Sequence, residues 1–192
     1  PELSQSAQLY DISGDKMQMI LDYPTIGEPH YAQIVAADLI KDKSVKIFKI
    51  NENKNPYVAM GEKETKVVRE GKQVHVYMTA IRSHLTPDNI EGIKMGDEVY
   101  FHVTNLEQDW DVPHGFAIKG AANAELLVMP GETVTLKWMP DRVGIFPMYC
   151  TDFCSALHQE MSGYVRVSPA GSNVPLLFST GTNQPKASAE AK

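Results

Sequence analysis

Five side chains with soft or borderline donor atoms sit in two short stretches of the chain. Cys150, Cys154, His158 and Met161 follow one another with the spacing C-x3-C-x3-H-x2-M, and His114 lies upstream of them. Thiolate, imidazole and thioether together select copper: Cys and Met favour Cu(I), and imidazole suits both oxidation states. One Cys, two His and a weak axial Met make a mononuclear copper site. This chain has that set and a second Cys. Two thiolates can bridge two metal ions, which leaves each ion one imidazole and one weak axial ligand. On that count Cys150 and Cys154 bridge, His114 and His158 are terminal, and Met161 is axial to one ion. The second axial position has no side chain to fill it, so a backbone carbonyl from the loop between the cysteines is expected there, with Asp152 the middle candidate. Rival chemistries use fewer of these residues. A disulfide across C-x3-C needs an unusual backbone. A zinc Cys2His2 site leaves Met161 idle. A Cys–His nucleophilic pair leaves the second Cys and the Met without a role.

Such a site needs a scaffold that holds two distant stretches together, and from Gly61 onward the sequence reads as strands. Lys72 to Arg82 alternates, with Val74, Val76 and Met78 on one face, and Asp97 to Thr104 repeats the pattern with Val99, Phe101 and Val103. His114 to Lys119, Ala124 to Met129, Thr133 to Trp138, Gly144 to Tyr149 and Gly163 to Val167 supply further strands, punctuated by turn signals such as Pro130-Gly131. Ser155 to Glu160 is the one helical stretch expected here. The pattern predicts an all-β fold, a Greek-key β-sandwich over residues 61–168. Residues 1–60 read as an irregular arm or linker with a plausible helix or turn at Ala32 to Ile40 and a strand-like run at Val45 to Ile50. Residues 169–192 read as a flexible C-terminal tail. The excess of acidic over basic residues, net charge −6, lacks the clustered cations that phosphate backbones require, so no nucleic-acid partner is expected. Apolar runs reach about half a dozen residues where a spanning helix needs about 20, so no membrane segment is expected. Pro1 to Gln8 has neither the basic nor the apolar region of a signal peptide.

The flanks of these ligands resemble the binuclear copper (CuA) centre in the C-terminal domain of nitrous oxide reductase. The resemblance is carried by Asp111-Val112-Pro113-His114-Gly115-Phe116, by Tyr149 through Met161, by Gly163-Tyr164-Val165-Arg166-Val167, and by Gly27-Glu28-Pro29-His30-Tyr31-Ala32. It implies a cupredoxin-like sandwich holding two copper ions on His114, Cys150, the Asp152 carbonyl, Cys154, His158 and Met161. It implies an electron-transfer module that accepts single electrons from a cytochrome c-like or small copper-protein donor. The module passes them to a catalytic CuZ cluster for reduction of nitrous oxide to dinitrogen in denitrification, in a periplasmic homodimer. Many relatives carry Trp at the position of Asp152, a change that spares a backbone ligand. His30 matches the last CuZ ligand, but the N-terminal propeller that holds the cluster is expected to be missing from this chain. The isolated chain is therefore expected to transfer electrons without reducing nitrous oxide. The alternatives are the CuA domain of a cytochrome c oxidase subunit II-like protein, and a cupredoxin-fold copper carrier.

The remaining candidates have plainer readings. His75 and His102 fall on the strand faces opposite the Val/Phe stripe and are expected to be exposed or paired at the surface, and His84 to be solvated in a loop. Met95, Met129, Met139 and Met148 read as core filler. Trp110 is a loop aromatic or a rim contact for a redox partner.

Overall fold

Val74, Val76 and Met78 turn to one side of a strand while His75 and Tyr77 turn to the other, and this two-residue period decides which face of each sheet meets the core. The computed structural model describes residues 5–11, 18–25, 50–51, 54–107, 112–121, 125–180 and 186–187. The chain divides into two units, 1–47 and 48–192. In the first, β1 (Gln5–Asp11) and β2 (Gln18–Thr25) pair as an antiparallel hairpin, with a register shift between Leu9 and Tyr10. Ordered strands thus occur inside the arm expected to be irregular. The helix or turn at 32–40 and most of the strand-like run at 45–50 lie outside the described residues.

The second unit is a two-sheet sandwich. Its strands are β3 (Lys66–Glu70), β4 (Gln73–Ile81), β5 (His84–Thr86), β6 (Asn89–Lys94), β7 (Glu98–Asn105), β8 (His114–Ile118), β9 (Glu125–Val128), β10 (Thr133–Trp138), β11 (Gly144–Tyr149), β12 (Ser162–Ser168), β13 (Leu177–Ser179) and β14 (Lys186–Ala187). One sheet has the order β10-β7-β4-β3, with β5 on β4. The other has the order β14-β13-β6-β12-β11-β8-β9. The pairs β4–β7 and β6–β12 are parallel, because the chain crosses between sheets and returns beside a strand it left earlier. The expected all-β sandwich is the observed one. Residues 169–180, in the tail expected to be flexible, add β13 to β6 and bury Phe178.

The core lies between the sheets. Phe101 and Trp138 from the first sheet meet Phe116 and Phe146 from the second, with ring centroids 5.5 and 5.1 Å apart. Each such pair adds about 0.5–1.5 kcal/mol beyond the area it buries. At one end Arg69 on β3 grips Asp97 with two bonds of 2.8 and 2.6 Å and reaches Gly92 O on β6, while Asp97 accepts the Lys94 N–H. That network ties the sheets across the turn at Lys94–Asp97. Of the four methionines read as core, Met148 is buried, whereas Met95, Met129 and Met139 are exposed. The latter three flank turns, where the chain bends away from the sheet interface. His84 lies on β5, exposed, and pairs with Glu62.

The outer face of the first sheet departs from the plain reading of its histidines. His102 is 2% exposed: Tyr57 stacks on it at 4.2 Å, Thr135 Oγ1 meets its Nδ1 at 2.7 Å, and His75 Nδ1 meets its Nε2 at 3.0 Å. Burial, seconded by the nearby His75, pushes the His102 pKa down to about 4 from 6.5. The folded chain therefore resists a proton that the unfolded chain accepts. Its contribution to stability is complete above about pH 6.5 and is lost as pH falls towards 4. The change is on the order of 3 kcal/mol. Urea denaturation between pH 7 and pH 4.5 is expected to show this decline, and a His102→Gln variant to lack that part of the slope.

Candidate metal centre

Strand β8 begins at His114, and the loop 150–161 joins β11 to β12, which are antiparallel neighbours. Because β11 also pairs with β8, both ligand-bearing stretches leave the same end of one sheet. The loop is closed at its base by the Cys150 N–H donating to Met161 O at 3.0 Å. Inside it Ser155 receives the Leu157 N–H on its hydroxyl and the His158 N–H on its carbonyl, at 3.2 and 3.0 Å. The expected helical stretch shortens to a 3-10 turn, His158–Glu160. Gly115 is required by the loop's close approach: a Cβ there would lie 1.9 Å from Thr151 Oγ1 and 2.8 Å from Asp152 N. Thr151 is held in turn by Glu125 on β9.

The six sequence-predicted donors converge. Cys150 and Cys154 are free thiols, buried, with sulfurs 3.9 Å apart, so no disulfide joins them. His114 Nδ1 lies 3.8 Å from Cys150 Sγ and His158 Nδ1 lies 3.7 Å from Cys154 Sγ. Met161 Sδ is 3.7 Å from Cys154 Sγ, and the Asp152 carbonyl oxygen is 3.2 Å from Cys150 Sγ. Each sulfur thus has one imidazole nitrogen and one weaker donor beside it. Gaps near 3.7–3.9 Å between donors are too wide for tight hydrogen bonds and leave room for ions between them. The set is sulfur-rich and borderline-soft, the chemistry that copper prefers. Of the other two candidates, Trp110 and His30 lie outside the described residues.

The protonation pattern prepares the pair. The neighbouring Cys154, aided by His114 and opposed by burial, draws the Cys150 pKa down from that of an ordinary thiol. Cys154 is raised by Cys150 and by burial, because two adjacent thiolates repel in a dry site. Behind His114 stands a residue that spacing did not reveal. His114 Nε2 meets Glu107 Oε1 at 3.2 Å, with both side chains buried. Glu107 also accepts the Arg82 backbone N–H at 2.7 Å and two bonds from its guanidinium, at 3.2 and 3.1 Å. Burial alone would raise the Glu107 pKa, but these hydrogen bonds from His114 and Arg82 bring it down to about 2. A carboxylate accepting from Nε2 fixes the imidazole tautomer and turns Nδ1 towards the sulfurs. Burial disfavours His114 protonation, yet its bonds to Cys150 and Glu107 prevail and raise its pKa. No local pattern marks Glu107, which precedes His114 by seven residues at a strand exit.

Residues 1–30, which include the β1–β2 hairpin, match the model of the nitrous oxide reductase propeller repeat. The chain is similar to the nitrous-oxide reductase of Stutzerimonas stutzeri, 36% identical over 177 residues, which is 86% of this chain and 27% of that protein. It is 38% identical over 157 residues to that of Cupriavidus necator, 82% of this chain and 24% of that one. It therefore spans about a quarter of the length of these relatives. Cytochrome c oxidase subunit 2 of Thermus thermophilus is 34% identical over 102 residues, covering 53% of this chain and 71% of that subunit.

Glu107→Ala removes the buried acceptor that both Arg82 and His114 bond, and is expected to destabilise the metal-free chain at neutral pH by about 1–3 kcal/mol, measured by urea denaturation. Glu107→Gln keeps an acceptor for His114 and should cost less. The carboxylate's own contribution is present above its ordinary pKa of 4.5 and lost as pH falls towards 2, so the Gln variant should lack that dependence.

Proposed function

This chain belongs to the nitrous-oxide reductase family, as its CuA (cupredoxin) domain, and on that premise we propose that it relays single electrons through a two-copper centre held at the end of the sandwich. The observation that carries the reading is the pairing of two unbonded, buried sulfurs, each flanked by an imidazole nitrogen. When bound, the copper pair supplies a one-electron acceptor and donor. The residues that would hold it are Cys150, Cys154, His114 and His158, with weaker donation from Met161 and the Asp152 carbonyl. Every other contribution to fast transfer comes from the chain. The closed loop base, the Gly115 contact and the Glu107 bond limit how far any donor can move when the charge changes. Burial of Cys150, Cys154, Met161 and His114 excludes water from the site.

The whole enzyme's reaction and partners follow from the same reading. The chain is the electron-entry part of a longer reductase, passing electrons to a CuZ cluster held by a propeller, in a periplasmic homodimer, for reduction of nitrous oxide. Phe153 and Leu157 are more than half exposed beside His158, whose ring lies 5.8 Å from that of Phe153. They form an apolar rim on which a cytochrome c-like or small copper-protein donor can seat its own apolar cofactor edge. No helix among the described residues is long and apolar enough to cross a membrane. The oxidase-subunit reading uses the same six donors but accounts for less of the chain, since that match stops at 53%. A copper carrier would need neither a fixed second thiol nor a locked imidazole.

Copper loading of the intact chain is expected to give two coppers per chain, a purple colour and a seven-line mixed-valence electron paramagnetic resonance signal. A single-copper four-line signal, or a colourless Cu(I) protein, would establish the carrier instead. Cys150→Ser and Cys154→Ser should each abolish the paired signal, because a hydroxyl is a hard, protonated donor. Met161→Leu should shift the potential and keep the colour.

A further inference from the structure

Asn105 is the last residue of β7, fully buried, and its backbone belongs to the first sheet. Its N–H donates to Glu132 O and its carbonyl accepts the Gly131 N–H, both at 3.0 Å. Its side chain crosses to the other sheet. Nδ2 donates to Val112 O and to Val128 O, each at 2.9 Å, and Oδ1 accepts the Glu107 N–H at 2.8 Å. All three partners bear on one imidazole. Val112 is the second residue before His114. Val128 faces His114 in the β8–β9 register. Glu107 accepts from His114 Nε2. Both amide hydrogens and one lone-pair direction are spent on them, the full donor capacity of a carboxamide.

We propose that Asn105 is the positioning residue of His114: from the opposite sheet its carboxamide fixes the backbone before and beside that imidazole, together with the carboxylate behind it, so that Nδ1 stays turned to Cys150. The inference rests on reading His114 as a copper ligand. Other residues fail for stated reasons. Aspartate keeps the shape and the acceptor for the Glu107 N–H, but sets an oxygen against two carbonyl oxygens. Alanine leaves two buried carbonyls without a donor. Glutamine displaces the carboxamide by a methylene in a packed interior. The adjacent Thr104 offers a matched control. It is equally buried, and its hydroxyl serves Thr133 Oγ1 and the Ala59 N–H, neither of which touches the site.

The test compares Asn105→Asp, Asn105→Ala and Thr104→Val in the full chain. The ring 15N shifts of His114 in the metal-free, reduced protein report its tautomer, and copper-loaded samples give the visible spectrum and reduction potential. At a pH above the raised His114 pKa, wild type and Thr104→Val are expected to show the ring proton at Nε2 alone, with one shared spectrum and potential. The Asn105 variants are expected to mix tautomers and shift both copper readouts. Asn105 variants with the wild-type tautomer and potential would overturn the proposal. If they do not fold, the wild-type chain decides: relative to their intrinsic exchange rates, the Asn105 Nδ2 protons and the His114 Nε2 proton should be protected from solvent to one common extent, and unequal protection overturns the proposal. A wild-type chain that forms no paired copper site, yet shows the Asn105-dependent tautomer, would sink the functional reading and leave the role of Asn105 standing.

Discussion

Two buried sulfur atoms held 3.9 Å apart and unbonded are the constraint on which the rest of this structure depends. Left alone, adjacent thiols can oxidise to a disulfide or repel as thiolates. Here a turn closed by the Cys150–Met161 backbone bond sets their separation. The imidazoles and the thioether are arranged around that spacing. The sandwich supplies what a loop cannot supply by itself, a second stretch of chain fixed against the first. β8 delivers His114 because it is hydrogen-bonded to β11, the strand that ends at Tyr149.

Much of this was legible in the sequence, for particular reasons. Period-two alternation fixed β4, β7 and β10, since each has one face in the core. The donor set was legible because its spacing is local: five of the six donors lie within one loop. What spacing could not reveal is whatever crosses between sheets. Arg82 and Glu107 each look like an ordinary charged residue in sequence, and only the fold brings them behind His114. The short strands β3, β5, β6 and β13 were passed over because they are brief or interrupted. Gly92 breaks the alternation in β6, and β13 has three residues. His102 misled in a different way. Its face of the sheet was read correctly as the outer one, but Tyr57 folds over it and turns an outer position into a buried one.

Glu107 and His102, two of the buried titratable groups among the described residues, follow one rule. Glu107 is buried but bonded on every side by Arg82 and His114, so it stays ionised. His102 is buried under Tyr57 with His75 for a neighbour, so it stays neutral. The first arrangement holds a donor atom in position, and the second seals the outer face of a sheet. Neither group touches solvent freely, and both depend on partners from other strands, which makes them sensitive to how well the two sheets pack.

The loop that carries Phe153 and Leu157 returns to its starting point: it leaves β11 and rejoins β12 through a single backbone bond. Side chains on its outer rim therefore answer to no part of the core, and the Asp152 donor atom belongs to the main chain whatever the side chain is. Over evolutionary time such a rim is free to drift with the surface of whichever protein it meets. Gly115, with no room for even one added carbon, is not. A lineage could thus change electron donors by altering a few exposed residues, without having to solve the folding problem again.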